Sequence, residues 1–379
     1  MNRKKIAVVG AGWAGAVTAR ALHDDGMAVE VFEERQTVGG HSRSETLAGV
    51  VFEPNGPHIF HTSNPEVARY VQRFGMRRTY EHRVLTEIFL DDDDSPRLLS
   101  WPPQVEELRA LPVWPRVEKE LADLPAEPWR DNLEAYCESI MGPTLYQLFI
   151  RDYSVKQWGR HPTELSSRFA PGRLDLRTDG NRRLFRDTWE FFPERGSQEM
   201  IESILAPIPV LAGQSISVDD LPALERDFAA VVITAPLDVF AKQDGSLEWR
   251  GVRTVSRYLP LADPTATVTP AYVVNRPSLR HPFTRTVETK HATGQRVAGT
   301  VLSEEYPGSA DRHYPVQTPD RSNERRNESL KAMIRERTDL AVFYCGRLAN
   351  YEYINQDQAI EQGMACARDV ASALRRDDA

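Results

Sequence analysis

The first fifteen residues constrain the fold more than any other part of this chain. A short apolar run, Ile6 to Val9, leads directly into Gly10-Ala11-Gly12-Trp13-Ala14-Gly15. The run reads as a buried parallel strand. Trp13 to Asp25 then reads as a helix, and Val29 to Phe32 as a second strand ending in Glu33 and Glu34. Strand, glycine turn, helix and strand within about thirty residues form a βαβ unit. In that context each glycine has a task. Gly10 permits the tight turn, Gly12 lets the backbone approach a pyrophosphate, and Gly15 lets helix and strand pack closely. The helix N-terminus faces the phosphates with its positive dipole end. Glu33 stands where an acid accepts ribose hydroxyls. The expectation is a dinucleotide-binding domain.

The rest of the chain bounds the function. At 379 residues it is long enough for two to three structural units. A net charge of -8 with scattered basic residues disfavours nucleic acid as a partner. The acidic run Asp91 to Asp94 reads as a solvated loop. Three widely spaced cysteines (Cys137, Cys345, Cys366) fit neither a disulfide framework nor a zinc site, and point to a reducing, cytoplasmic setting. The apolar stretch at the N-terminus is too short for a signal peptide, and no run reaches the length of a membrane span. From about Pro65 to Ser154 the apolar spacing is helical and broken by prolines, so a mostly helical insertion is expected. Between Leu247 and Ser303, β-rich runs without intervening helices predict an antiparallel sheet. The fold class expected is therefore α/β, a Rossmann-like domain with a helical insertion and an antiparallel β-sheet domain.

A second glycine pair, Gly39-Gly40, follows the second strand with His41 after it, and a late strand ends in Cys345-Gly346-Arg347-Leu348. Both elements resemble the flavin-binding turns of glutathione-reductase and amine-oxidase type flavoproteins, which makes FAD the expected cofactor. Further segments are more specific. NGPHIFHT at Asn55 to Thr62, DYSVKQWGRHPTEL at Asp152 to Leu165, FTRTVETKH at Phe283 to His291, EEYP and HYPV between Glu304 and Val316, and CGRLANYEY at Cys345 to Tyr353 occur in order. Together they resemble the UDP-galactopyranose mutase family over nearly the whole chain.

That resemblance implies an isomerase that interconverts pyranose and furanose forms of a nucleotide-diphosphate sugar with no net redox change. The reduced flavin attacks the anomeric carbon through N5, forming a covalent adduct. It implies an external reductant such as NAD(P)H and a homodimeric assembly. It also implies a layout: 1–64, 190–245 and 338–379 as a discontinuous FAD domain; 65–165 as the helical insertion with the substrate pocket; 166–189 and 246–337 as a mobile loop and a sheet over the flavin. Arg177 and Arg285 match the family's diphosphate arginines, Tyr314 and Tyr353 its phosphate-contacting tyrosines, and His58 a histidine near the flavin. Phe149, Tyr153, Ser154, Trp158 and Asn275 fall among the substrate contacts; His41, Arg250, Arg347 and Asn355 fall among the cofactor contacts. Gly172 and Gly180 are the expected hinges of the loop.

The chain departs from the family where Leu184 replaces a base-stacking tyrosine, Asn355 an acid and His41 an asparagine. Three alternatives stay open: the same chemistry on another base or a deoxysugar, a true redox FAD enzyme of the amine-oxidase type, and a non-catalytic flavin or nucleotide binder. Arg285 has a plain reading as the partner of Glu288 in a surface ion pair. His58 and His61 are three residues apart, but no further metal ligands cluster near them in sequence.

Overall fold

The structure is a computed structural model and describes residues 5–90, 93–171, 173–308 and 311–377. Among these residues, five parallel strands form one sheet in the order Val210–Ala212, Val29–Glu33, Lys5–Val9, Phe228–Ile233, Ala341–Tyr344. Lys5–Val9 is central and paired on both edges. Its apolar run serves two cores, as a strand covered on both faces must. Ile6 and Val8 join the cluster under the helices Trp13–Asp24, Ser197–Leu205 and Gln356–Asp377. Ala7 and Val9 face the opposite cluster, with Leu330 and Ile334 of the helix Ser322–Arg335. The chain makes two long excursions from this sheet, over 34–209 and 234–340, and both contribute strands to other sheets.

The two excursions meet in a second sheet of seven strands among the described residues. The order is Tyr314–Pro315, Trp249–Leu259, Thr300–Gly308, Arg285–Val287, Val273–Asn275, Val84–Leu90, Asp93–Trp101. It is antiparallel except where Val273–Asn275 pairs in parallel with Val84–Leu90. The register aligns Thr86, Asn275, Arg285 and Glu305 in one cross-strand row. Residues directly opposite each other lie on the same face, so this row delivers three polar side chains beside Arg285.

The expected helical insertion is therefore corrected over 77–101. Arg77–Thr79 pairs with Trp189–Pro193, and 84–101 forms two strands of the seven-stranded sheet. Non-local pairing of 77–79 with 191–193 and of 84–86 with 273–275 overrides the local pattern there, and the rest of 84–101 pairs with itself as a hairpin. The acidic run is also corrected: Asp93 and Asp94 open a strand, while Asp91 and Asp92 lie outside the described residues. Helices do occupy Trp114–Ala122, Leu133–Tyr146 and Asp152–Trp158, the last two joined by a π-helical turn at Gln147–Arg151. Lys156 ties the last helix to the sheet domain. Its ammonium donates to the carbonyls of Arg276, Ser278 (2.8 Å), His281 (3.0 Å) and Phe283 (2.9 Å). No helix of the described residues is long and apolar enough to cross a membrane.

Glu288 does not pair with Arg285. Its fully buried carboxylate instead accepts from Val268 N (3.0 Å), Thr269 N (2.7 Å) and Thr300 Oγ1 (2.7 Å), with His291 Nε2 at 3.5 Å. Burial alone raises its pKa, but the His291, Thr269 and Thr300 donors outweigh burial and bring it down from 4.5 to about 2. A depressed carboxylate contributes stability that is complete above the ordinary value and lost as pH falls through the folded one. The protein should therefore lose on the order of 3 kcal/mol between about pH 4.5 and pH 2 through this group. Denaturant titrations across that range should show Glu288→Gln already destabilised at pH 7 and flatter on acidification. An unchanged acid slope in the variant would assign the loss to other groups.

Candidate active site

The dinucleotide turn is built at the carboxyl end of Lys5–Val9. Gly10 has φ +104°, and a Cβ there would stand 2.2 Å from Thr234 Oγ1; a Cβ on Gly15 would stand 2.0 Å from the Gly10 carbonyl oxygen. The helix Trp13–Asp24 begins at Gly12 with no side-chain cap, which leaves its first N–H groups for an anion. Glu33 is buried, and its carboxylate accepts from Ala11 N (2.8 Å) and Arg35 N (3.0 Å). The Gly39-Gly40 turn packs on the first one, with Gly39 N donating to Ala11 O at 2.9 Å. Uncapped helix end, glycine cradle and buried acid together fit a bound dinucleotide.

A cavity of ≈ 320 Å³ lies next to the second glycine turn, with His41 in its lining. It is lined by most of the side chains expected from sequence: His41, His58, Phe149, Tyr153, Ser154, Trp158, Leu184, Asn275, Arg285, Tyr314, Arg347, Tyr353 and Asn355. They come from elements as distant as the second glycine turn and the segment after the last strand of the parallel sheet. The aromatic rings form one wall. Tyr314 and Tyr353 lie 5.3 Å apart, and Trp158 packs edge-on to both at 5.9 Å. Arg347 lies over both tyrosines, 5.4 and 5.2 Å from their centroids. Burial raises the Tyr314 pKa, so its hydroxyl stays a donor at neutral pH.

Arg285 enters from the polar row. Its Nε donates to Glu305, and its Nη2 lies 3.5 Å from the Tyr314 hydroxyl. Burial alone lowers its pKa, but the buried Glu305 carboxylate more than offsets that and holds the charge. This pairing, with Glu305 in place of Glu288, corrects the surface ion-pair reading.

Arg177 is not in the cavity. It is only 3% exposed, and its guanidinium binds Asp175 and the carbonyls of Asn181 (3.0 Å), Arg183 and Leu184 (3.0 Å). It staples the loop that the family resemblance makes mobile. Arg173, four residues earlier, is the arginine that reaches the cavity. It donates to Asn355 Oδ1 (3.0 Å) and Tyr353 O (3.0 Å) and lies 4.1 Å over the Tyr353 ring. Burial lowers its pKa. The segment lacks periodicity, and nothing in the sequence separates the inward arginine from the stapling one. Arg250 is a second correction: its guanidinium closes the end of helix Asp152–Trp158 through Gln157 O (2.9 Å) and Lys156 O (3.1 Å) and does not line the cavity. Gly180, an expected hinge, has φ +69°; Gly172 lies outside the described residues.

Other cavity residues were not legible. Phe185, next to Leu184, stacks on His61 at 3.4 Å, and His61 Nδ1 pairs with Asp187 at 2.7 Å. His313, 2% exposed, stacks on His41 at 4.1 Å with an interplanar angle of 20°. Burial lowers both of these histidines, and it pushes His82 down to about 3. His41, His313 and Asp311 have ligand atoms within 4.8 Å of one another. The two rings are nearly parallel, so their in-plane lone pairs run side by side and do not converge on one ion.

A family model described as UDP-galactopyranose mutase matches residues 148–353, more than half of the chain. The chain belongs to the UDP-galactopyranose mutase family. A model for an NAD(P)-binding Rossmann-like domain covers residues 8–74. A probable UDP-galactopyranose mutase of Klebsiella pneumoniae is 26% identical over 99% of this chain and 96% of its own length. A dTDP-fucopyranose mutase of Escherichia coli is also 26% identical, over 96% of this chain and 97% of its own. A putative flavin-containing monoamine oxidase of Mycobacterium tuberculosis is 40% identical, but over only 21% of this chain and 17% of its own. In fold, the crystal structure of a reduced UDP-galactopyranose mutase superposes with a TM-score of 0.78 over 98% of this chain and 95% of that one, at 17% identity. The protein is a flavoenzyme of the isomerase class.

The two arginines should separate cleanly. Arg177→Ala leaves buried carbonyls without donors and should cost about 2–4 kcal/mol in denaturant unfolding. Arg173→Ala should leave stability nearly unchanged and weaken binding of a nucleoside diphosphate by about a hundredfold in calorimetry. The reverse pattern would restore Arg177 to the site.

Proposed function

We propose that the protein interconverts the pyranose and furanose forms of a nucleotide-diphosphate sugar, with FAD as its cofactor in the reduced state and no net redox change. The observation that carries this reading is the charge of the cavity. Arg173 and Arg347 line it with no carboxylate within ion-pair distance among the described residues, and Arg285 lines it with Glu305 as its partner. Half-buried guanidiniums, two of them without a carboxylate, call for an anionic ligand, and a diphosphate beside the Tyr314 and Tyr353 hydroxyls meets all three.

FAD fits Gly10, Gly12, Gly15, Glu33, Gly39, Gly40 and His41, and bound there in the reduced state it supplies a nucleophile at N5 for the anomeric carbon. The chain's own residues do the rest. Arg173, Arg285 and Arg347 hold the diphosphate and stabilise the charge it gains on leaving. The hydroxyls of Tyr314 and Tyr353 donate to it, and their rings wall the sugar with Trp158 and Phe169. Phe149, Tyr153, Ser154 and Asn275 form the side toward the nucleotide. Phe185 supplies beside Leu184 the aromatic face that Leu184 lacks. The layout proposed for the chain remains three parts, with 84–101 moved from the helical insertion to the sheet over the flavin. An external reductant such as NAD(P)H and a homodimer complete the reading.

A second reading keeps the chemistry and changes the sugar nucleotide. It is favoured by Leu184 and by the dTDP-fucopyranose mutase relative, which matches as fully as the UDP-galactopyranose mutase one. A redox enzyme of the amine-oxidase type is less favoured, because that likeness in sequence is confined to about a fifth of the chain.

Dithionite-reduced protein should convert UDP-galactofuranose or dTDP-fucofuranose to its pyranose form under anaerobic conditions, and oxidised protein should not. Turnover of the thymidine compound alone would select the second reading. Stoichiometric oxidation of a product, or no turnover of either by flavin-loaded protein, would sink the first two. In the active reaction, Arg173→Ala should lower kcat/KM about 10²- to 10³-fold.

A further inference from the structure

One carboxylate behind the cavity is unused by this account. Glu53 is 1% exposed, in the loop before His58. Its Oε2 accepts from the backbone N–H of His58 at 2.8 Å and from the Tyr272 hydroxyl at 3.0 Å, and its Oε1 lies 3.5 Å from Ser197 Oγ. Tyr272 is itself fully buried; burial and then the Glu53 charge hold its pKa well above the ordinary value, so it remains a donor. The carboxylate is thus fixed from three sides. His58 lines the cavity, and its Nδ1 is buried with no hydrogen-bond partner, 3.7 Å from Glu53 Oε2. That separation is within ion-pair range and longer than a hydrogen bond, and Nδ1 has no other hydrogen-bond partner.

We propose that Glu53 is a positioning residue for His58: it holds the imidazole proton on Nδ1 and so presents Nε2 to the cavity as a hydrogen-bond acceptor. A carboxylate in contact with one ring nitrogen selects the tautomer protonated there, and the other nitrogen takes the complementary role. The neighbouring groups do not compete for Nδ1. His313 stacks on His41, and Glu305 Oε1, 3.3 Å from where a Cβ on Gly56 would stand, makes no hydrogen bond to His58 Nδ1. The acceptor would face a donor on the reduced cofactor or a sugar hydroxyl. The inference rests on the cavity being the cofactor and substrate site, and not on which sugar nucleotide enters it.

The test is the tautomer of His58 by ring ¹⁵N NMR, in flavin-loaded protein with ¹⁵N-histidine and no sugar nucleotide, at a pH where the ring is neutral. His58→Gln assigns the resonances. In the wild type the Nδ1–H form should exceed the Nε2–H form by about tenfold or more, as a charge-assisted hydrogen bond requires. Glu53→Gln, whose amide can donate to Nδ1, should bring the ratio to about one or invert it, and Glu53→Asp should restore part of the preference. A wild-type ring protonated on Nε2 overturns the proposal even if no variant folds, as does a ratio unmoved in folded Glu53→Gln. Because no turnover is measured, an inactive mutase with the expected tautomer would sink the proposed function and leave this inference standing.

Discussion

Strand Lys5–Val9 is paired on both edges and packed on both faces, and the site is arranged around its carboxyl end. A strand so enclosed has no freedom of register or tilt, so the turn that follows it is held to a single geometry. Gly10 and Gly15 exist because that turn leaves no room for a Cβ. Everything the cavity needs is referred to this point. The second glycine turn packs on the first, the last strand of the parallel sheet leads to Arg347, and the second sheet lines the cavity through Val273, Asn275, Arg285 and Tyr314.

The second sheet contributes charge in a controlled form. Its register places Asn275, Arg285 and Glu305 side by side, so the guanidinium arrives with its counter-ion already beside it. Arg173 and Arg347 arrive differently, bonded to backbone carbonyls and lying over tyrosine rings, with their charge uncompensated. Histidines His41, His82 and His313 are kept neutral by burial. The cavity therefore holds net positive charge in a small volume of low dielectric, where electrostatic contributions to binding and to charge developed in a transition state are large.

How much of this was legible depended on whether a residue's role is local. The glycine turns, Glu33 and the aromatic motif residues sit in segments whose own spacing sets their conformation: Glu33 is bonded to the first glycine turn, and the aromatics line the cavity. Arg177 and Arg173 show the opposite case. They share a loop without periodicity, and only contacts with the carbonyls of 181–184 hold Arg177 as a staple within the loop, while Arg173 lies over Tyr353. Strands 84–90 and 93–101 pair chiefly with each other, and only 84–86 also pair with the remote segment 273–275 that joins them to the sheet. Arg250 belongs here too: its role as a helix cap depends on where the helix Asp152–Trp158 ends in space.

By itself the sequence determined the βαβ unit, the dinucleotide turn, the flavin-type glycine pair and the family, because those follow from local periodicity, glycine sterics and ordered motifs. The tertiary structure alone decided which arginines line the cavity, which carboxylate partners Arg285, and that Phe185 stacks on His61. Those outcomes are set by burial and by hydrogen bonds that local periodicity does not signal, from Arg177 with Leu184 in the same loop to Arg173 with Asn355 in a remote segment.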